Sequence, residues 1–239
     1  MTIKGKTPEI SVVIPALNEA KYIHNVFDGL KKQTYKNFET IVVDGNSNDD
    51  TRRIARKYAR VLIQHKRGLS FARNLGAKVS KGRIIVFLDA DTKPLRTLLE
   101  NYKKAFSDSE IVAATGPIYP LEKVKKSIFG GYKFVSVNLV KFSIKIQKPF
   151  LIGSNLAVLK HAFEKVKGFN NNYLTCEDWD LSQRIIKYGK IRYVDNAIVY
   201  TSARRTERWG ILRYTFYTVT NLFRFYLAHK PNTEYEVIR

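Results

Sequence analysis

The sequence predicts an α/β fold with a largely parallel central sheet flanked by helices, and three observations carry that prediction. Short apolar runs alternate with helical patterns of about ten residues, the signature of βαβ units. The clearest run, Ile84-Ile85-Val86-Phe87-Leu88, has no polar residue on either side of an extended chain, as a strand covered on both faces requires. It stops at two carboxylates, Asp89 and Asp91, which puts them at the strand's carboxyl end, where open α/β sheets bind ligands.

In chain order, Glu9 to Pro15 reads as a first buried strand ended by proline, and Asn18-Glu19 opens a helical pattern running to about Gln33. Phe38 to Val43 is a second strand. It leads into Asp44-Gly45-Asn46-Ser47-Asn48-Asp49-Asp50-Thr51, a cluster with turn and cap chemistry, and a helix from Arg52 to Tyr58. Val61 to Ile63 is a third strand, and Phe71 to about Val79 a helix before the Asp89/Asp91 strand. Glu100 to Phe106 then reads as helix, Ile111 to Thr115 as strand, and Gly153 to Val158 as strand-like. Thr175 to about Gly189 is a helix with Glu177, Asp178 and Asp180 in its first turn, where the helix dipole favours carboxylates. Ile191 to Val194 and Ala197 to Tyr200 would close the sheet. From Arg204 to Lys230 the period is helical, with Leu212, Phe216, Val219, Phe223 and Leu227 on one face.

At 239 residues the chain is one large domain or a domain with an appendage. We expect a catalytic unit over 1–203, with a donor half at about 9–115 and an acceptor half at 116–203, followed by a helical extension at 204–239. Hydrophobic residues at 44% and charged residues at 26% exclude a disordered chain. One cysteine, Cys176, excludes an intrachain disulfide framework and fits a reducing compartment. Met1 to Pro8 lacks an apolar signal region, and no run reaches the ~18 apolar residues of a spanning helix. A soluble or peripherally attached cytoplasmic protein is therefore expected.

Asp89 and Asp91 lie on one side of an extended chain and could converge on a hard divalent cation; equally, Asp89 could cap a helix while Asp91 starts a turn. The motifs together decide more. Ile14-Pro15-Ala16-Leu17-Asn18-Glu19, Val43-Asp44-Gly45-Asn46-Ser47-Asn48-Asp49-Asp50-Thr51, Ala72-Arg73-Asn74-Leu75-Gly76, Asp89-Ala90-Asp91, Gly153-Ser154-Asn155 and Glu177-Asp178-Trp179-Asp180-Leu181 stand in the order and spacing of a known family. The chain resembles a family-2 glycosyltransferase with the GT-A fold over roughly residues 9 to 200.

The resemblance implies an inverting transferase that uses a nucleoside-diphosphate sugar, with a UDP-sugar favoured over a GDP-sugar, and Mn2+ or Mg2+. It implies that Pro15, Asn18, Glu19, Asp44 and Asn46 hold the nucleoside, Asp44 reaching the base. Arg73 would counter phosphate charge, a task its planar fork suits, with Asn74 orienting it or touching the base. Asp91 would ligate the metal while Asp89 holds ribose or a metal-bound water. Gly153, Ser154 and Asn155 would line the pocket, and Asp178 would be the base, with Glu177 in reserve. A neighbouring like charge would raise that carboxylate's pKa. Trp179 would offer its face to a sugar ring or sit in the core. Arg205 belongs to a basic element similar to those that close over the diphosphate. It stands where processive members carry Gln in a Gln-x-x-Arg-Trp pattern, and that departure argues against a polymerising enzyme.

The formal charge of +21 calls for phosphate-bearing partners. Nucleic acid is not expected, since no helix-turn-helix, zinc or RNP-type motif is present. The lysines between Leu121 and Lys148 interleave with aromatics, which suits an anionic membrane and a glycan or polyprenyl-linked acceptor. Two other classes compete. A nucleotidyltransferase should carry a Gly-rich phosphate loop, but residues 9–25 contain no glycine; a non-catalytic sugar-nucleotide or lipid-binding module should lack a base, but Glu177-Asp178 is present.

Overall fold

A computed structural model describes residues 7–66 and 68–210 together with eight positions between 213 and 225. Among the described residues, seven strands form the central sheet, in the order β3-β2-β1-β4-β8-β6-β9. They are β1 (Ile10–Ala16), β2 (Phe38–Asp44), β3 (Arg60–Ile63), β4 (Ile84–Leu88), β6 (Ile111–Thr115), β8 (Asn155–Leu159) and β9 (Lys190–Tyr193). Every residue of β1, β2, β4, β6 and β8 is buried, which explains why these strands read as largely apolar runs and not as an apolar–polar alternation.

Strands β1 to β4 are mutually parallel, and β6 pairs parallel with β9. The exception is β8, antiparallel to both β4 and β6, with Asn155 opposite Leu88. That reversal has a functional consequence. The start of β8, Gly153-Ser154, comes to the same sheet edge as the carboxyl ends of β1, β2 and β4.

The sheet is flanked by α1 (Ile23–Lys31), α2 (Thr51–Ala55), α3 (Leu69–Val79), α4 (Leu98–Ala105), α7 (Lys160–Lys165) and α8 (Glu177–Ile185). In α1 the buried residues Ile23, Val26, Phe27 and Leu30 recur at helical spacing and give it one apolar face. The segment after residue 121 forms α5 (Lys126–Lys133), a π-helical stretch Phe134–Leu139, and α6 (Val140–Lys145).

Three expectations change. The first helix begins at Ile23, not at Asn18, because Asn18 adopts a left-handed φ of 54° inside a loop. The strand expected at Ala197–Tyr200 does not close the central sheet: β10 (Val199–Thr201) lies in a second sheet between β5 (Thr92–Pro94) and β7 (Ile118–Pro120). The extension expected at 204–239 begins with α9 (Arg204–Trp209), but Leu212, Val219, Phe223 and Leu227 of its expected apolar face lie outside the described residues. Among the described residues, no helix is long and apolar enough to cross a membrane.

Candidate active site

The loops after β1 and β2 are joined side by side. Asn18 N–H donates to Ser47 Oγ (2.9 Å), and Asn48 N–H donates to Asn18 Oδ1 (2.8 Å). Glu19 N–H donates to Thr51 Oγ1 (2.7 Å) and Ala20 N–H to Asp49 Oδ2 (3.1 Å). Asn46, at φ 67°, turns the second loop through the left-handed region, which asparagine adopts more readily than most residues. Asn46 is exposed and accepts from Arg52 (3.2 Å), whereas Pro15 is buried as the penultimate residue of β1.

Asp44 ends β2 fully buried. Its Oδ2 takes Ser47 N–H (3.1 Å) and Arg52 Nε–H (3.0 Å), while Oδ1 is buried and takes no hydrogen bond among the described residues. A buried acceptor without a partner is costly and calls for an explanation, which a ligand N–H would supply.

Arg73 departs from its expected task. It is 2% exposed, and its Nη1 donates to Glu177 Oε1 (2.7 Å) while its Nη2 donates to Asp89 Oδ1 (3.0 Å). A buried guanidinium engaged this way neutralises the protein's own carboxylates and is not presented to a phosphate. Gly153 makes room for it: a Cβ at residue 153 would lie 2.5 Å from Arg73 Nη1.

The amide of Asn74 is committed elsewhere as well. It donates to Phe169 O (2.8 Å) and Asn171 Oδ1 (3.0 Å) and accepts from Phe169 N–H (2.9 Å), so it fastens the 168–171 loop instead of orienting Arg73. Asn155 is wholly buried within β8, where it accepts from Tyr102 Oη (2.5 Å) and donates to Pro117 O (3.2 Å) and Ala197 O (2.8 Å). It lines no pocket and instead ties β8 to two neighbouring loops. Ser154 is buried beside it.

Cys176, with φ 60°, turns the chain into α8 so that Glu177 and Asp178 open that helix at the sheet edge. Glu177 is 5% exposed and held by Arg73; Asp178 is half-buried and its Oδ2 accepts Gly153 N–H (2.8 Å). Burial raises both carboxyls above their ordinary range. Asp178 adds to the effect on Glu177, and Arg73 opposes it in both. For Asp178 burial is the leading cause, in place of the like-charge effect expected. The third acid, Asp180, is paired with Arg184 (2.5 Å) and lies outside this set of contacts. Trp179 packs edge-on against Phe150 and Phe225, with ring centres 5.7 and 6.0 Å away.

Asp91 has a partner that its motif did not announce. Arg204, the first residue of α9, places Nη2 3.1 Å from Asp91 Oδ2, pairs with both oxygens of Glu19 (2.9 and 2.5 Å) and covers the Tyr22 ring at 4.6 Å. Asp91 O also accepts Ser202 N–H (3.2 Å). Burial and the nearby Asp89 push the Asp91 carboxyl up to about 7 against the pull of Arg204. The expected Arg205 instead lies over Trp209, 5.9 Å from its ring centre.

Among the described residues, no group of three or more His, Cys, Asp or Glu is gathered to hold a metal. The strand-end pair still fits a hard cation. Asp89 Oδ2 and Asp91 Oδ1 take no hydrogen bond among the described residues, and one or two carboxylates completed by phosphate oxygens and water are an ordinary Mg2+ or Mn2+ site.

A parallel half-sheet in the order 3-2-1-4, with acidic loops at its carboxyl edge and buried carboxylates facing them, defines a nucleotide-binding α/β protein. Residues 11–167 match glycosyl transferase family 2, and the chain belongs to that family. Residues 133–203 also match the N-terminal domain of galactosyltransferase. Among relatives, the chain is 28% identical to the O-antigen chain rhamnosyltransferase RfbN of Salmonella typhimurium, over 86% of this chain and 70% of that one. It is 34% identical to the Escherichia coli UDP-Glc:alpha-D-GlcNAc-diphosphoundecaprenol beta-1,3-glucosyltransferase WfaP, over 48% of this chain and 47% of that one. The chain spans less than half the length of several of the curated relatives it matches. In structure it superposes on the mannosyltransferase PcManGT of Pyrobaculum calidifontis, solved with GDP-Man and Mn2+, with a TM-score of 0.66. The identity is 19%, over 90% of this chain and 65% of that one. The fold is GT-A.

Proposed function

We propose that this chain is an inverting, metal-dependent glycosyltransferase. It moves a sugar from a nucleoside-diphosphate sugar, a UDP-sugar in preference to a GDP-sugar, to an acceptor hydroxyl or phosphate on a lipid-linked glycan or polyprenyl carrier at a membrane surface. The observation that carries this reading is the Arg73 bridge. By holding Asp89 and Glu177 together, it fixes the distance between the strand-end carboxylates and the Asp178 candidate base.

In this account the nucleoside lies across the joined loops after β1 and β2, with the unpartnered Asp44 Oδ1 accepting from the base. Asp91, with Asp89 beside it, would hold Mn2+ or Mg2+, which when bound supplies charge neutralisation at the departing diphosphate. Asp178 takes the acceptor's proton as the acceptor oxygen attacks the anomeric carbon. The bond to the diphosphate breaks on the opposite face with its electron pair, which inverts the carbon. Gly153 N–H holds Asp178 Oδ2 and Trp179 N–H holds Oδ1 (2.9 Å), which orients the carboxylate without a second acid and leaves the remaining lone pairs for the proton.

WfaP is named for a UDP-sugar donor and a diphosphoundecaprenol acceptor, and PcManGT binds GDP-Man; both donor classes therefore belong in the test. Thermal shift against UDP, GDP and their sugars with Mn2+, followed by nucleoside diphosphate release in the presence of polyprenyl-linked acceptors, tests the reading. Stabilisation by UDP and acceptor-dependent UDP release are expected. No stabilisation by any nucleotide would contradict it.

A further inference from the structure

We propose that the helical segment 125–148 is the surface by which this protein docks on an anionic lipid bilayer. The proposal rests on the function above only in giving the docking a purpose, which is access to a lipid-linked acceptor.

Charge is the first observation. From residue 123 to residue 163 the sequence has no aspartate or glutamate, while residues 123–148 alone contain seven lysines. A solvated helix ordinarily mixes both signs along its outer face, so an acid-free lysine face is built for an anionic partner.

The second observation is where the apolar residues go. The inward stripe is small and satisfied: Ser136 and Ser143 are buried, and Ser136 Oγ both donates to Ile118 O (2.9 Å) and accepts Ile118 N–H (3.2 Å). The large residues instead face out, with Phe134 53%, Phe142 59% and Ile146 47% exposed. Each follows a lysine directly, at 133, 141 and 145, of which Lys141 is paired with Asp195 (2.5 Å) and Lys133 and Lys145 point to solvent. Phe134 and Phe142 are eight residues apart, which in an unbroken α-helix would leave them about 80° out of line. The π-helical stretch between them, with its wider turn, corrects that drift. Apolar tips flanked by lysines on one ridge match the headgroup boundary, where the rings enter the acyl layer and the ammonium groups reach the phosphates.

The third observation is the position of the ridge. Glu122 accepts Ser202 Oγ–H and Ala203 N–H (both 2.8 Å), and Tyr132 Oη lies 3.3 Å from Thr206 Oγ1. The ridge is thus fastened to residues 202–206, whose Arg204 reaches Asp91. A bilayer under this face would lie beside the proposed donor site. Stacked bases could also cover exposed rings, but Ile146 has no π face and gains only from lipid.

The test is co-sedimentation of the full chain with vesicles of mixed phosphatidylglycerol and phosphatidylcholine at physiological salt, against phosphatidylcholine alone. Binding to the mixed vesicles only is expected. Lys126→Gln/Lys133→Gln/Lys145→Gln should weaken it by about fivefold per lysine, on the order of a hundredfold in all. Phe134→Ser/Phe142→Ser should weaken it at least about tenfold, since each ring brings a large apolar area. Both variants should retain the wild-type thermal midpoint, because the positions are exposed. Absence of wild-type binding overturns the proposal, as does binding that neither variant changes. Loss with the lysine variant alone, together with equal affinity for duplex DNA, also overturns it in favour of a general polyanion surface. If vesicles are bound but no sugar nucleotide is turned over, the docking surface stands and the enzymatic reading falls.

Discussion

Arg204 stands 3.1 Å from Asp91 Oδ2 while its guanidinium also pairs with both oxygens of Glu19. The carboxylate proposed to hold the cation therefore already has a counter-ion of the protein's own, supplied by the segment that follows β10. A divalent cation arriving at Asp91 competes with that guanidinium. Arg204→Gln should raise Mn2+ affinity in the absence of nucleotide by about fivefold, the range expected for one partly exposed ion pair. Mn2+ titration followed by electron paramagnetic resonance measures this. Unchanged or weaker binding would mean that Arg204 does not occupy the cation's place.

The raised Asp91 carboxyl gives metal binding a pH dependence. Only the carboxylate ligates, so a group titrating at about 7 must lose its proton to bind below that pH and is already ionised above it. Mn2+ affinity should fall by about tenfold per pH unit below 7 and level off above it. Calorimetry in buffers of different ionisation enthalpy should find close to one proton released per metal near pH 6 and none at pH 8.5 (both pH values about one unit or more from the titration). Affinity independent of pH across this range would exclude Asp91 as the ligand.

Glu177 and Asp178 should separate cleanly. Glu177→Gln leaves the buried Arg73 with Asp89 as its remaining close carboxylate, a change of the kind that costs about 3–5 kcal/mol. Its thermal midpoint should fall well below that of Asp178→Asn, whose half-buried side chain can keep one of its two backbone bonds, from Gly153 N–H or Trp179 N–H. Equal midpoints would contradict the division of roles.

Asn155 matters for stability, not for nucleotide contact. Asn155→Ala removes three side-chain bonds at about 1 kcal/mol each: Ala197 O loses its donor, Tyr102 Oη keeps only the Asn155 backbone O (3.3 Å), and Pro117 O keeps only Val199 N–H (3.1 Å). A fall in thermal midpoint of roughly 6–12 °C is expected, with nucleotide affinity of the folded fraction unchanged. Lost nucleotide affinity without lost stability would return Asn155 to the pocket.

Much of the fold is legible in the sequence because β1, β2, β4 and β6 are covered on both faces and so leave largely apolar runs, unbroken in β4. The second sheet is not legible as a sheet: β10 overlaps an expected strand but its pairing does not show in the sequence, and β5 and β7 have three residues each, too few to display a period, and contain proline. Within the site, the motifs located the right loops but not the direction of each side chain. Asn74 and Asn155 have residue types suited to a ligand, yet their amides meet backbone carbonyls. Arg205 and Arg204 differ by one position, which on a helix is about 100°, enough to put one over Trp209 and the other against Asp91. Arg73 reads as a phosphate binder until burial reveals two protein carboxylates around it.

The central claim is that Asp178 removes the acceptor's proton. It is tested most directly by comparing wild type and Asp178→Asn in single-turnover release of nucleoside diphosphate, with Mn2+, donor and a lipid-linked acceptor, alongside donor affinity by calorimetry. We expect the transfer rate to fall about 10²–10⁴-fold with donor affinity essentially unchanged, as loss of a general base requires. Transfer by Asp178→Asn at the wild-type rate would contradict the account.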